Sequence, residues 1–485
     1  MRKEDEIIAS LVAWFDSRLG LSQSMLRPVP EYAVNPFYWL GALAVVAFVI
    51  QGVTGVLMML YYVPSPAQAF QSTQYIFQQV YYGRFLESVH LYTAYAMIML
   101  AFMHMMRGYF VSVHKKPREM MWVVGMVMGF VTLGFGFTGY LLPWTVVSKS
   151  ATDVGIGIIA ALPSPVSSLL SFLIVGAGGD ATELLRFYDL HVVVLPAALL
   201  VLLTIKMYML ECHGISEPAR GTVSEEERRL IPIFPDVSLY LLELAAVFGS
   251  AMLLISVIFP LNLPPQYSPQ LAAQFTPQPD WYFLWIYQIL KISIFEGPGL
   301  PVALSLVTLL FIALFLLPFI DRSEKRRLID RPIFVTFGMI FVAELIVLAY
   351  WGLITPGQII PFEQAALVIG GTALVIALVS FATYRVLFSR IKPSGAQPAT
   401  KFAGLFSFGA LATGGAFATG NAINTAVNII VQGLDWWRAT LFVASVIMLA
   451  FVVLASAVLI YRIESLNGSL SRRASLLEKM IHESK

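Results

Sequence analysis

Three histidines in two long apolar stretches have the spacing of metal ligands inside a membrane. His90 and His104 share one stretch, and fourteen residues at about 100° each return to within about 40° of one helix face while rising ~21 Å. His191 opens a second stretch that enters from the same side, at the depth of His90. Two imidazoles at one depth can clamp a haem iron from opposite faces. A lone intramembrane histidine more often packs or carries protons, but three at matched depths favour metal binding.

The fourth position of this pattern holds a lysine. Lys206 lies in the second stretch at about the depth of His104, where that stretch has no histidine. A lysine binds iron only through its neutral amine. The alternative is that Lys206 extends to the headgroups and leaves an inner haem five-coordinate, weakly held or absent. The sequence leaves both interpretations open.

The stretches that hold these residues are part of an unusually apolar chain. It has 485 residues, of which 58% are hydrophobic and 12% charged, about half the charged fraction of soluble domains. Helices of roughly 20 apolar residues cross a bilayer, so the composition predicts an all-α polytopic membrane protein. Ten spans are predicted, near 37–62, 86–110, 121–142, 188–210, 237–259, 302–320, 334–354, 364–388, 403–431 and 438–462.

Charge predicts the orientation of these spans. Basic loops follow the even-numbered spans, at 114–119, 219–229, 321–331, 384–392 and 462–479. By the positive-inside rule these loops and both termini are cytoplasmic. We call the end of the molecule with these basic loops the inner end. The opposite end, which has the loops after the odd-numbered spans, is the outer end. Residues 1–35 lack the pattern of a removable signal peptide and are predicted to lie as an amphipathic segment on the cytoplasmic surface.

Two bulk properties limit the chemistry. The single cysteine, Cys212, excludes an internal disulfide, a cysteine-ligated iron–sulfur cluster and covalent haem attachment through paired cysteines. The net charge of +2 argues neither for nor against an anionic partner, and no nucleic-acid partner is expected. Any redox chemistry therefore uses other ligands.

Several motifs occur in a specific order on these helices. They are QGVTG at 51–55, AFQSTQYIFQQVYYG at 69–83, KKPRE at 115–119, FTGYLLPW at 137–144, RFYDLHVVVLP at 186–196, GISEP at 214–218 and PDWYFLWIYQILK at 279–291. Together with the histidines they resemble cytochrome b of the bc1 and b6f complexes, especially the b6 type joined to its subunit IV. The similarity covers about 35–390.

The resemblance implies a division of the chain. Residues 36–215 would form a b6-like four-helix bundle, and 216–395 a subunit IV-like region with spans five to eight. Residues 396–485, the last pair of spans and a cytoplasmic tail, lie outside the common core, and they could dock a partner such as an oxidase module.

The resemblance also implies two haems, of b-type or with a modified porphyrin. The outer one would lie between His90 and His191, and the inner one between His104 and the fourth span, where the family has a histidine and this chain has Lys206. Four glycines repeat the fourteen-residue spacing, and a missing side chain would let a porphyrin approach the backbone; ordinary helix packing is the alternative. These glycines are Gly41, Gly55, Gly125 and Gly139.

Arginines near the haems are candidate partners of the propionates. Arg107 and Arg118 lie near the inner end, and each could instead be a positive-inside anchor. At the outer end Glu87 stands where the family usually has arginine. Arg84, one turn earlier, is the candidate replacement.

A quinol site is implied at the outer end. The family tetrapeptide PEWY is here Pro279, Asp280, Trp281 and Tyr282, so a carboxylate is kept on a shorter side chain. A carboxylate in an apolar pocket suits proton acceptance from a quinol. We assign that role to Asp280, with Tyr282 and Tyr140 as pocket or relay residues. A helix-capping aspartate is the alternative.

The implied function is that of the dihaem cytochrome b subunit of a quinol-oxidising complex in a prokaryotic cell membrane. One electron would pass to a Rieske iron–sulfur protein and the other across the membrane to a cytoplasmic-side quinone, for which His213 and Asp236 are candidates, although either could be a solvated loop residue. The quinone pool, membrane lipid, further oxidase or cytochrome subunits and a second copy of the chain are the expected partners.

Two other functions fit part of the pattern. A cytochrome b anchor of a dehydrogenase would carry histidine-ligated haems, but it has no need of the PDWY motif. A non-redox transporter or structural membrane subunit would use the histidines for protons and the glycines for packing.

Overall fold

The computed structural model describes residues 28–386, apart from 177, 219–222 and 224–227, and six positions between 10 and 18. Eight helices in these residues are long and apolar enough to cross a membrane. They confirm the first eight predicted spans and the all-α polytopic fold. Their bounds are Pro36–Met59, Gly83–Phe110, Glu119–Leu141, Asp180–His213, Ile233–Ile258, Gly297–Phe315, Pro332–Ile354 and Phe362–Ala382. The ninth and tenth predicted spans lie outside the described residues.

Helices within and between the spans are numbered in chain order. The α-helices are α1 Leu40–Met59, α2 Ala69–Gln78, α3 Gly83–Phe110, α4 Glu119–Leu141, α5 Val146–Ala160, α6 Val166–Ile174, α7 Asp180–Asp189, α8 Leu195–His213, α9 Ser238–Ile258, α10 Pro269–Ala272, α11 Leu284–Leu290, α12 Leu300–Phe315, α13 Leu317–Ile320, α14 Pro332–Ile354, α15 Phe362–Ala365 and α16 Gly371–Val386. Two short strands, β1 Val29–Pro30 and β2 Leu230–Ile231, pair antiparallel.

Two helix boundaries differ from the prediction for local reasons. The fourth span begins eight residues early because a π turn at Leu190–Val194 joins the amphipathic α7 to α8 without a break. The sixth span ends at Phe315 rather than near 320, since Leu316 leaves helical geometry and Pro318 follows in the next short helix. A proline in a continuing helix would remove a backbone hydrogen bond.

The first four spans pack together as a bundle of helices. The first span packs along the second, the third along the fourth, and the second against the third. Large apolar side chains point away from the protein, including Val247, Leu242 and Phe381. Such a surface fits a lipid environment, because the helices satisfy their own backbone hydrogen bonds.

The two halves of the chain share one core. Trp351, Met339 and Ile376 of the seventh and eighth spans belong to the same buried cluster as Tyr109 and Trp122 of the second and third. Tyr109 donates to the carbonyl of Phe334 at 2.6 Å, and the Trp122 indole donates to the carbonyl of Leu314 at 2.8 Å. These bonds fix the subunit IV-like helices against the bundle.

A buried charge cluster reinforces this contact at the inner end. Asp321, after the sixth span, bonds to Lys115 at 3.1 Å and to His114 at 3.2 Å, and Arg331 donates to it as well. Burial favours the neutral acid, but these cations hold the pKa of the Asp321 carboxyl below its usual range. Burial lowers the pKa of His114 to about 4, so its neutral ring donates to Asp321.

Replacing Asp321 by asparagine should destabilise the protein strongly. The change leaves two buried cations without their carboxylate, and breaking such a pair typically costs about 3–5 kcal/mol. Denaturant titration in detergent measures the free energy of unfolding. The control is Asp330→Asn, because Asp330 pairs with Arg327 and both side chains are partly exposed. This variant should lose about 0–1 kcal/mol of the free energy of unfolding. Equal losses in the two variants would contradict the assigned role.

Candidate functional site

His90 and His191 face each other across the outer half of the bundle. Their ring centroids are 6.3 Å apart. A metal–imidazole bond is about 2 Å long, so two such bonds and two half-rings add up to about 6 Å. The described residues contain no cluster of three or more metal-ligating side chains. Two opposed imidazoles therefore fit a metal that brings its own equatorial ligands, as haem iron does.

Two threonines set the tautomer of these histidines. Thr54 donates its hydroxyl hydrogen to the carbonyl of Ile50 at 2.7 Å and lies 2.8 Å from Nδ1 of His90. A hydroxyl has one hydrogen, so Thr54 accepts here from Nδ1–H. Thr138 does the same for His191, at 3.2 Å, while donating to the carbonyl of Gly134. Both histidines then carry their lone pair on Nε2, the atom left for a metal.

These threonines were not predicted, although the sequence contains a signal for them. Within the first four spans the dipeptide Thr-Gly occurs at 54–55 and 138–139, once in each helix whose glycine faces an outer histidine. At the inner glycines the preceding residues are Leu40 and Val124, which have no hydroxyl. The repeat therefore marks the outer position only.

The inner half of the bundle brings His104 and Lys206 into matching places. The two side chains are close enough to interact electrostatically. His104 Nδ1 is buried and has no hydrogen-bond partner among the described residues. A buried nitrogen without a partner is costly. The His104 ring therefore differs from the outer histidines, whose rings are held by hydrogen bonds to Thr54 and Thr138.

Each of the four predicted glycines faces one of the four candidate ligands. A Cβ atom on Gly55 would lie 3.5 Å from Cε1 of His90, and on Gly139 2.5 Å from Cε1 of His191. On Gly41 it would lie 3.1 Å from Cε1 of His104, and on Gly125 3.0 Å from Nζ of Lys206. Ordinary helix packing does not require this one-to-one match.

The predicted arginines all have protein partners. Arg84 donates to the carbonyl of Leu261 at 2.6 Å and to Asn262 at 2.7 Å, which ties the second span to the loop after the fifth. Arg118 donates to the backbone carbonyls of residues 213–215 at 2.9–3.3 Å and so caps the fourth span. Arg107 is buried with its guanidinium 3.9 Å from the ring centre of Tyr38. A propionate role for any of them stays a prediction.

Asp280 occupies a pocket built from two distant parts of the chain. Tyr95, on the helix that carries His90, donates to Oδ1 of Asp280 at 2.8 Å, and Tyr282 donates to Oδ2 at 3.4 Å. Burial raises the pKa of the Asp280 carboxyl above its ordinary value, although the two hydrogen bonds act in the other direction. The pKa of Tyr282 is raised well above 10, so the phenol stays a donor.

The other predicted pocket residues surround this carboxylate. Trp281 meets Tyr95 edge to face at 6.3 Å and Tyr282 at 5.5 Å between ring centroids. Tyr140, near the end of the third span, is close enough to Asp280 for an electrostatic interaction. Pro279 is half-buried beside them. Tyr95 was not predicted, because nothing in the sequence relates it to a residue 185 positions away.

The inner quinone candidates are placed less tightly. His213 ends the fourth span with an exposed side chain, and its backbone carbonyl accepts from Arg118. Asp236 lies in the π turn Ile233–Val237 that leads into the fifth span. Both remain predictions.

Two family models match the chain on either side of residue 270. The model for the N-terminal part of cytochrome b, including b6, matches residues 95–269. The model for its C-terminal part matches residues 273–371. Together they cover the third and fourth spans and the Asp280 pocket, whereas His90 and the first span precede the matched residues. The chain belongs to the cytochrome b family.

Curated relatives extend this match over most of their length. The cytochrome b subunit of the cytochrome bc complex from Chlorobaculum thiosulfatiphilum is 34% identical over 355 residues, which cover 70% of this chain and 80% of the relative. Cytochrome b from Sulfolobus acidocaldarius is 30% identical over 412 residues, 78% of this chain and 71% of the relative. Cytochrome b6 from Heliobacterium mobile is 40% identical over 192 residues, 40% of this chain and 90% of the relative.

A solved structure shares the fold. The chain described as hyperthermophilic respiratory Complex III superposes with a TM-score of 0.61 at 26% identity, covering 77% of this chain and 98% of the other. The chain is thus a cytochrome b of the bc-type complexes, an oxidoreductase family whose members bind haem. This membership argues against both the dehydrogenase anchor and the non-redox transporter.

Gly139→Ala should reduce haem binding. The added methyl group would lie 2.5 Å from Cε1 of His191 and force the ring out of line with His90. Haem content per purified chain, from the reduced absorption bands, should fall by about one haem.

Two other alanine variants calibrate this effect. Gly55→Ala places the methyl group at an ordinary 3.5 Å from His90 and should cost less haem, while Gly129→Ala, on the same helix as Gly139, meets nothing within 4 Å and should bind haem normally. Equal haem content in all three would contradict the assignment.

Proposed function

We propose that this chain is the dihaem subunit of a quinol-oxidising complex. It would oxidise quinol at the outer end, pass one electron to a Rieske iron–sulfur protein and the other to a quinone near the inner end. The observation that carries the proposal is the position of Tyr95. It lies on the same helix as His90 and His104 and donates to Asp280 at 2.8 Å, so the pocket carboxylate and the candidate haem ligands share one support.

Quinol oxidation needs a group that accepts a proton at the start of the reaction. The Asp280 carboxylate suits this step because burial raises its pKa toward that of a useful base, while Tyr95 and Tyr282 keep part of the population ionised. After protonation Asp280 is a neutral acid in an apolar pocket. Reorientation toward the outer aqueous side would then release the proton, which couples oxidation to proton translocation.

The electrons leave by two routes. Haem, when bound, supplies one-electron carriers at two depths of the bundle. The chain's own contribution is to hold Nε2 of His90 and His191 toward each other through Thr54 and Thr138. The fourteen residues between His90 and His104 separate the two depths by ~21 Å.

The proposed orientation, inner quinone site and partner subunits follow the same family pattern. We place the basic loops and both termini on the cytoplasmic side of a prokaryotic membrane, and an inner quinone site near His213 and Asp236. Arg107 and Arg118 remain the proposed inner propionate partners. A homodimer and further oxidase or cytochrome subunits are proposed partners in the complex.

Asp280→Asn should lower quinol oxidation by about 100-fold, the usual worth of a positioned base. Asp280→Glu should retain most activity, because the carboxylate is kept. The assay is quinol-dependent reduction of the purified complex's own acceptor, normalised to haem. Glu296→Gln, an exposed outer-loop carboxylate, is the matched control and should behave as wild type. Turnover of Asp280→Asn within a few-fold of wild type would refute the assigned base.

Tyr95→Phe should move the pH dependence of the rate. The base works when ionised, so the rate rises with pH through the pKa of Asp280. Removing the 2.8 Å hydrogen bond from Tyr95 takes away a stabiliser of the ionised form, and the rising limb should shift to higher pH.

A neighbouring tyrosine provides the control for this experiment. Tyr92 lies on the same helix, but its hydroxyl donates to the carbonyl of Phe259 at 2.7 Å instead of to Asp280. Tyr92→Phe should leave the limb in place. A rate–pH profile that is unchanged in Tyr95→Phe would mean that Asp280 does not control it.

A further inference from the structure

Lys206 occupies the inner position of the fourth span that corresponds to His191 at the outer position. We propose that Lys206 is an axial ligand of the inner haem, bound through its neutral amine opposite His104. This inference rests on the proposed function, in which the bundle holds two haems. It makes the two iron sites chemically different, with two imidazoles outside and an imidazole–amine pair inside.

The amine of Lys206 faces one of the four glycines. Its Nζ atom lies 3.0 Å from the position of a Cβ atom on Gly125. The other three glycines of the set face His90, His191 and His104 in the same manner. Lys206 therefore fills the fourth of four equivalent places, and the other three hold residues with a metal-binding nitrogen.

The helical register of the fourth span brings Lys206 and His191 to neighbouring faces. Lys206 follows His191 by fifteen residues, whereas His104 follows His90 by fourteen. In a regular α-helix fifteen residues would miss the starting face by about 60°. The π turn at Leu190–Val194 takes up one extra residue. The remaining separation is equivalent to fourteen residues, which returns Lys206 to within about 40° of the face of His191, as His104 returns to that of His90.

The side chain of Lys206 does not reach for the headgroups. Lys206 precedes the end of its span at His213 by seven residues, or about 10 Å of helix, and Gly125 lies a comparable distance inside the third span. Its amine points across the bundle to Gly125 instead of along the helix. A lysine that snorkels would extend along its helix toward the membrane surface.

In the described part of the chain no carboxylate forms an ion pair with Lys206. An unpaired ammonium at this depth is expensive, and intramembrane lysines normally pair or serve a function. Metal binding removes the charge: the ammonium releases one proton to water, the nitrogen lone pair forms the bond to iron, and no electron is transferred.

The test is spectroscopic and uses the purified complex with its full chain. Low-temperature EPR and near-infrared charge-transfer spectra report spin state and axial ligands of each haem, and pyridine haemochrome analysis counts haem per chain. The wild type should show two distinct low-spin haems. In Lys206→Leu one low-spin signal should be lost, either to a high-spin signal or with the haem itself. In Lys206→His that signal should return with bis-imidazole character.

Internal and external controls separate the outcomes. The outer haem signal of His90 and His191 reports that the bundle has folded in each variant. Ile205→Ala changes the adjacent, outward-facing residue and should leave both haems unaltered. Two unchanged low-spin signals in Lys206→Leu would overturn lysine ligation while leaving the proposed function intact. A wild-type protein without haem would instead overturn the proposed function.

Discussion

Inside a bilayer no water is present to satisfy a polar side chain, so the protein itself must supply each partner. That constraint accounts for the best-defined contacts of this chain. Thr54 and Thr138 accept from the outer histidines while bonding to their own helices. Tyr95 and Tyr282 share the carboxylate of Asp280. The polar groups of the site are held by neighbours instead of by solvent, which fixes both their direction and their protonation.

The second span is the common support of these groups. It presents His90 and His104 to the bundle and Tyr95 to the pocket, and near its inner end Tyr109 bonds to the seventh span. Beyond the inner end of this helix, the buried ion pairs of Asp321 with Lys115 and Arg331 hold the same region in place. A change in the tilt of this one helix would move the candidate haem ligands and the pocket around Asp280 together.

The chain departs from its family at positions that carry charge or ligation. Asp280 has a side chain one methylene shorter than the family glutamate, and two tyrosines bring hydrogen bonds to it. Glu87 replaces an arginine near the outer haem position, and Arg84 is committed to the loop at 260–262. At the inner position an amine takes the place of an imidazole. Each departure changes the local chemistry while the helices around it keep the family arrangement.

The sequence alone determined the features that repeat along a helix. Apolar length predicted ten spans, of which the first eight are present in the described residues. A spacing of fourteen residues predicted which histidines and glycines share a face, because helical geometry is local. The bond from Tyr95 to Asp280, the tautomers set by threonine and the carbonyl partners of Arg118 required the tertiary structure. Those contacts join residues that are far apart in the chain, and no local periodicity encodes which of them meet. The direction of the Lys206 amine belongs to the same class, since it depends on how the third and fourth spans are packed.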